Sequence, residues 1–303
     1  PLRSLRDLPL TLRRTLLAVR LAVLSAALAG AVVSATFVAL NSQVRTSTRQ
    51  LLADELSRSQ RTLVEMQREN QRRLVLAAAL LAESPSLRSA MSTYRVERQA
   101  DRVVRADLTN TVQHELERLG RDLNAGVLLA TDETGRVFTG YQRDGGALPS
   151  GLDITSLPAV RHALDPAFVS TSGEPYLAGL QVGDGYYGVG VAPVILDGYT
   201  IGTLVFGERV DSALVGPLHK TFDGDVVASA GGRMIATTLP ATVAATVLRG
   251  LADASGQGHA IALDGQEYLA APIALGKTQD GQELQLTLLQ PVTPAVNTLT
   301  RAL

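Results

Sequence analysis

GDGYYGVG, residues 183–190, is the stretch on which the reading of this chain turns. Its spacing, G-x-G-x-x-G-x-G, matches a loop that wraps the phosphates of a nucleotide, but such a loop lies between a strand and a helix whose N-terminal amides hold the phosphate. The chain continues instead as VAPVILDGYTIGTLVFG, residues 191–207, rich in Val, Ile and Thr and interrupted at Asp197-Gly198. That pattern reads as two strands joined by a tight hairpin. No helix opens after the glycines, so phosphate binding is set aside. Alternate residues of a strand share a face, which puts Gly188 and Gly190 on the side of Tyr186 and opposite Tyr187. The two glycines leave room beside the Tyr186 ring for a ligand or for the backbone of a helix.

Hairpins recur on either side of this stretch. AGVLLATDETGRVFTGY, residues 125–141, is strand, Asp-Glu-Thr-Gly turn and strand. The loop RDGGALPSG and a short helix, LPAVRHAL at 157–164, separate it from three further strands, PYLAGLQV, YYGVGVAPVI and YTIGTLVFGERV. From Val215 the theme repeats on a smaller scale. DVVASAGGRMIATTL (225–239) is again strand, turn and strand, PATVAATVLRGLADA is a helix with Pro240 in its first turn, and GHAIALDGQEYLAAPIAL and ELQLTLLQPV supply the remaining strands. The order strand, turn, strand, helix, three strands thus occurs twice. Helices followed by antiparallel, hairpin-linked strands make an α+β protein.

Toward the N-terminus the chain changes character. Its opening holds Arg3, Arg6, Arg13, Arg14 and Arg20 against the single acid Asp7, and LAVLSAALAGAVVSATFVAL, residues 21–40, then runs without a charge. Twenty residues at about 1.5 Å each cross the roughly 30 Å of a bilayer core. A cleaved signal peptide is the rival reading, but its apolar region would be shorter and would end at a small-residue cleavage site, whereas here helical pattern continues past residue 40 without a breaker. An uncleaved transmembrane helix is expected, with the arginines in the cytoplasm and everything from about residue 41 outside it.

The segment from 41 to about 81 has no Gly or Pro, and Leu52, Leu56, Leu63 and Met66 form a sparse apolar seam along it. Packing within the chain accounts for the very apolar VLAAALLA at 75–82, while the thinner seam before it suits a homodimer contact with a second copy. ESPSLRSAM (83–91) breaks this helix at Pro85 and starts another, with Ser84 or Ser86 available as cap. Val104, Leu108, Val112, Leu116 and Leu119 mark a further helix as far as Leu123. The chain therefore divides into a basic tail (1–20), a membrane span (21–40), stalk and sensor helices (41–124), a first sheet module (125–214), a second (215–290) and the start of a last helix (291–303).

Composition narrows the function. A formal net charge of −1 offers no general attraction for nucleic acid. Cysteine is absent, which removes disulfides, thiol nucleophiles and Cys-based zinc sites, and the four histidines stand far apart without ligand spacing, so no metal or cofactor is implied. The G-x-S-x-G elbow is missing. Asp132, Asp197, Asp223 and Asp264 fall in turns, where an aspartate caps its own backbone, and no carboxylate pair stands out, so an enzyme is not expected.

The succession LAESPSLRSAM, VLLATDETGRVF and YYGVGVAPVILDGYTIGTLVFGERVD, with VVASAGGRMIATTLP and GQEYLAAPIAL after it, resembles the double Cache family of extracytoplasmic bacterial sensors, in particular its third subclass. The resemblance spans nearly everything after Leu21 and rests on order and spacing. It implies a long signalling helix, a membrane-distal and a membrane-proximal PAS-like antiparallel module, and a second membrane helix leading inward. The implied function is ligand sensing across the membrane for an intracellular output such as a diguanylate or adenylate cyclase, a histidine kinase or a chemoreceptor. None of these outputs lies within the 303 residues. The Tyr, Arg, Trp and Asp pattern of amino-acid-binding members is met only loosely, at Arg161 and Tyr176, and there is no Trp. Amino-acid recognition is therefore not implied; a membrane-anchored spacer or partner-binding domain without a small ligand is the alternative function.

For a sensor, the site is expected on the concave face of the first sheet. Tyr141, Tyr176, Tyr186 and Tyr187 gather in that module, and a tyrosine couples an apolar ring to a hydroxyl suited to a small polar organic ligand. Of the adjacent pair 186 and 187 only one can line the site, and Tyr186 is the candidate. Arg161 would meet a carboxylate and Glu208 an amine. The same residue types also serve as ordinary core covers and solvated charges.

Overall fold

The computed structural model describes residues 54–97, 102–146, 148, 149, 151–165, 178–222, 224–240, 243, 246, 247, 250, 259–263 and 266–292. The expected membrane span at 21–40, the last helix expected at 291–303 beyond its first two residues, Leu52, Tyr176, Asp223 and Asp264 lie outside them. Among the described residues no single helix is long and apolar enough to cross a membrane.

Among the described residues three helices come first: α1 (Asp54–Ala82), α2 (Pro85–Val96), turned 70° from it, and α3 (Arg102–Asp122). Pro85 ends α1 as expected. Ser84 occupies the N-cap of α2 but makes no capping bond; its hydroxyl pairs with that of Ser86 at 2.9 Å, and Ser86 donates to Glu115 of α3. That carboxylate also accepts from Arg118, which, with the Ser86 hydroxyl, holds its pKa below the ordinary glutamate range against the opposing effect of burial. Only the second half of α3 reaches the core, through Val112 and Leu116, while Val104 is exposed.

Strands come next: β1 (Val127–Thr131), β2 (Val137–Gln142), helix α4 (Pro158–Leu164), β3 (Ala178–Val182), β4 (Gly185–Leu196) and β5 (Tyr199–Arg209). They pair antiparallel in the order β2-β1-β5-β4-β3. The β4–β5 hairpin turns at Asp197 and Gly198, with φ of 50° and 81°. Two positive φ values define the type I′ turn that an Asp-Gly pair announces, because its twist matches that of the flanking strands. The β1–β2 turn is held by Asp132, whose Oδ1 accepts from the amides of Thr134 (2.9 Å) and Arg136 (3.1 Å). This aspartate caps its own turn, as read from the sequence.

Helix α5 (Ser212–Phe222) leads to β6 (Asp225–Ala230), β7 (Arg233–Thr237), β8 (His259–Leu263), β9 (Gln266–Lys277) and β10 (Glu283–Pro291), again antiparallel and in the order β7-β6-β10-β9-β8. In position the second half repeats the order of the first. α5 was not apparent in the sequence because Pro217 lies inside it; Asp211 starts it by accepting from the amides of Ala213 and Leu214. Residues 243, 246, 247 and 250 are helical, within the helix expected after Pro240.

One expectation is corrected. The sequence suggests two separate sheets, yet the halves join as one ten-stranded sheet through the parallel pairing of Ala178 in β3 with Lys277 in β9. β8 covers β9 only from Gln266 to Ala270, so the rest of that edge has backbone groups to offer. Beyond Lys277 the Gln279 side chain continues the pairing, accepting from the Gln181 amide at 3.0 Å and donating to its carbonyl at 2.8 Å.

Both faces of the first half are covered. On one, Leu74, Ala78 and Leu81 of α1, Leu87 and Met91 of α2, and Val112 and Leu116 of α3 pack on Leu128, Val194, Leu204 and Phe206. On the other, Val160 and Ala163 of α4 pack with Leu129, Leu180, Tyr187, Val189 and Val205. The second half has its own core of Val227, Val247, Ile261, Tyr268 and Leu289.

One glycine of the opening motif, Gly190, is explained by packing. A Cβ built on Gly190 would stand 2.3 Å from the Leu74 carbonyl carbon and the Val75 amide nitrogen, so the backbone of α1 itself rests on this strand position. At Gly188, on the same face, a Cβ would meet nothing within 4 Å. Gly190→Ala is therefore expected to destabilise the protein by about 3 kcal/mol or more, since neither backbone can yield, whereas Gly188→Ala leaves stability unchanged or slightly raised. Paired denaturant titrations check the contrast.

Candidate functional site

Of the five residues singled out in the sequence, the four that are described are spread over both faces of the first half. Tyr141, on β2, packs with the core beneath the helices, its ring directly against Gly120 of α3. Glu208 faces the same side, where it accepts from Arg73 of α1 at 2.6 Å. The carboxylate expected to meet an amine ligand is thus paired with a guanidinium of its own chain. Arg161 lies on α4, across the sheet, and its Nε donates to the Thr155 carbonyl at 2.7 Å. Tyr176 lies outside the described residues.

Tyr186 shares the helix-side face with the glycines but stands at the junction of the two halves. Its hydroxyl receives Nη2 of Arg233, from β7, at 3.1 Å and lies 3.4 Å from Oε1 of Gln282. The Arg233 guanidinium sits over the ring, 5.5 Å from its centroid. Its neighbour Tyr187 points the other way, toward α4, and is fully buried. There Nε2 of Gln142 donates to its hydroxyl at 2.8 Å, and burial raises the phenol's pKa, opposed by that hydrogen bond. The tyrosine on the α4 side with Arg161 is therefore 187 and not 186. Alternation along β4 separates the pair, but only the packing decides which parity faces which helix.

A groove of about 610 Å³ opens where α1 passes β5, β10 and α5; Met66, Arg73, Leu76, Glu208 and Leu218 are among its walls. A cleft of about 350 Å³ lies at the junction of the halves and includes Tyr186, Arg209 and Arg233. A further depression, about 10 Å³, lies beside Leu56, Phe222 and Leu289. No group of three or more His, Cys, Asp or Glu able to hold a metal occurs among the described residues.

The same geometry revises the helix seam. Leu56 and Leu63 are 5% and 3% exposed and turn inward, Leu56 beside Leu288 and Leu289 and Leu63 beside Leu218 and Leu286. They are core residues of this chain. The large apolar side chains that α1 leaves exposed are Met66, Leu76 and Leu80.

No family model matches the chain, and no curated protein matches it. Solved sensory domains align with most of the chain at low identity. The ligand-binding domain of the Campylobacter jejuni chemoreceptor Tlp3 is 17% identical, with 83% of this chain and 94% of that one covered and a TM-score of 0.44. The ligand-binding domain of the Pseudomonas fluorescens chemoreceptor CtaA is 12% identical, covering 84% and 97%, with a TM-score of 0.46. The sensor domain of the Vibrio cholerae histidine kinase DctB is 13% identical, covering 81% and 98%, with a TM-score of 0.44.

Tyr187 provides a test of the α4-side packing. With its pKa raised, its contribution to stability is complete below the ordinary tyrosine range and is lost as pH climbs through the folded value. In an alkaline absorbance titration this phenol ionises above the ordinary tyrosine range, and Tyr187→Phe removes that late component at a cost of about 1 kcal/mol.

Proposed function

We propose that this chain is the extracytoplasmic, ligand-sensing input region of a transmembrane signalling receptor, built as two tandem PAS-like modules on a long signalling helix. The observation that carries this reading is the attachment of one helix to both halves of the sheet. On α1, Gln71 donates to the Val189 carbonyl of β4 at 2.7 Å, and eleven residues earlier Gln60 donates to the Pro272 carbonyl of β9 at 3.0 Å. A helix tied to a strand in each half is displaced when either half changes shape, and it runs back toward the segment expected to cross the membrane. That is the mechanical requirement of an input region.

The ligand proposed is a small polar organic molecule held on the α4 side of the first half, with Arg161 as a first contact and the sheet as its floor; Tyr176, outside the described residues, is proposed as the second contact. Mass action makes the test simple. At a hundredfold excess over the dissociation constant a ligand stabilises the folded state by about 2.7 kcal/mol, visible as a raised melting temperature in a screen of carboxylates, amines and amino acids. Arg161→Ala and Tyr176→Ala are each expected to remove the shift and leave the unliganded protein folded; a shift surviving both moves the site elsewhere.

Homodimerisation belongs to the same proposal, through the face of α1 that carries Leu76 and Leu80, which are 61% and 64% exposed and one helical turn apart. Replacing both with Lys is expected to weaken association without unfolding the chain. Leu56→Lys and Leu63→Lys are expected to unfold it, because each would bury a charge. Sedimentation and circular dichroism distinguish the two outcomes.

A further inference from the structure

The cleft of about 350 Å³ at the junction of the halves has a charge pattern that the sensing reading leaves unused. Four charged side chains line it, and two are satisfied within the protein. Arg209 forms an ion pair with Asp144. Asp211 accepts the first free amides of α5, at 2.9 Å from Ala213 and 3.3 Å from Leu214. Arg233 and Asp184 remain, and among the described residues neither has an ion-pair partner. Arg233 is nonetheless held in place, over the ring of the buried Tyr186 and bonded to its hydroxyl through one nitrogen. Among the described residues the rest of its donor fork has no partner, and it borders a cavity whose remaining wall is the apolar Val210, Met234 and Ile235.

A fixed guanidinium with spare donors recognises a carboxylate, whose two oxygens match the fork. The aliphatic and thioether wall accepts a short apolar tail. Asp184, on the exposed turn between β3 and β4, disfavours a second negative charge in the same small space. We propose that this cleft is a second binding site, separate from the α4 side, and that it takes a small monocarboxylate with a short apolar tail, anchored on Arg233 and Tyr186. Such a ligand touches Tyr186 of β4 and Arg233 of β7, one strand from each half. Here the halves share a single ladder pairing, so occupancy ties them together where backbone bonding is thinnest.

Propionate, succinate and propionamide serve as probes on the full chain in lipid nanodiscs, read by thermal shift and by the arginine side-chain NMR resonances. Propionate is expected to raise the melting temperature and move the Arg233 resonance, succinate to do so less, and propionamide, which has the same shape without the charge, not at all. Arg233→Gln is expected to weaken propionate binding by at least about tenfold, since a charge-assisted bond is lost. Asp184→Asn is expected to bring succinate closer to propionate. Arg233 is exposed on its strand, so the glutamine variant should melt normally without a probe, and that melt controls for folding. Equal responses to propionate and propionamide, a propionate response that survives Arg233→Gln, or no response at saturating propionate would each overturn the proposal.

Discussion

The structure depends on the contact between the backbone of α1 and β4 at Gly190. Any side chain there would push the helix off the sheet, because the atoms it would meet are the Leu74 carbonyl carbon and the Val75 amide nitrogen, which cannot rotate away. The close approach lets Leu74, Ala78 and Leu81 reach the sheet, and it places Gln71 within reach of the Val189 carbonyl. A buried glutamine bonded to a strand carbonyl also fixes the position of the helix along the strand, which apolar contacts alone would hold only loosely. Gly190, the last glycine of the run that suggests a phosphate loop, is thus the footprint of a helix.

Fixing α1 on the first half sets where its earlier turns lie on the second. Leu63 and Leu56 fall against β10 and α5, and Gln60 meets β9. The direct junction of the halves is by contrast slight and polar. One parallel ladder pair, the Gln279 amide acting in place of a strand, the Ser156 hydroxyl on the Gln279 carbonyl at 2.8 Å, and the contacts of Tyr186 with Arg233 and Gln282 make up its principal bonds. Polar contacts of this kind exchange with water at little net cost, whereas apolar packing does not. The arrangement of the halves therefore rests on the helix more than on the sheet.

Much of the architecture was legible in the sequence because it is governed by local rules. Asp197-Gly198 accepts positive φ at both positions and so makes a hairpin wherever it stands between strands. Asp132 closes its turn with its own side chain, and Pro85 ends a helix because it has no amide to give. The repeated order of strands, the short helix α4 and the α+β class come from such signals. The expectations that did not survive concern partners distant in sequence. Leu56 and Leu63 show a seam but not what lies against it, and it proved to be the chain's own β10 and α5. Pro217 hid α5, since a proline within a helix looks like its end.

For the site, the sequence determined that Tyr186 and Tyr187 point to opposite faces, because a strand alternates whatever surrounds it. Which face meets α4, whether Glu208 is free or bound to Arg73, and that Arg233 closes over Tyr186 from the other half were decided by tertiary structure alone. Each joins residues far apart in the chain: Tyr186 and Arg233 are separated by 47 positions and Arg73 and Glu208 by 135. A charge carries no mark of its partner, and the identity of that partner emerges only when the sheet is assembled and the helices are laid across it.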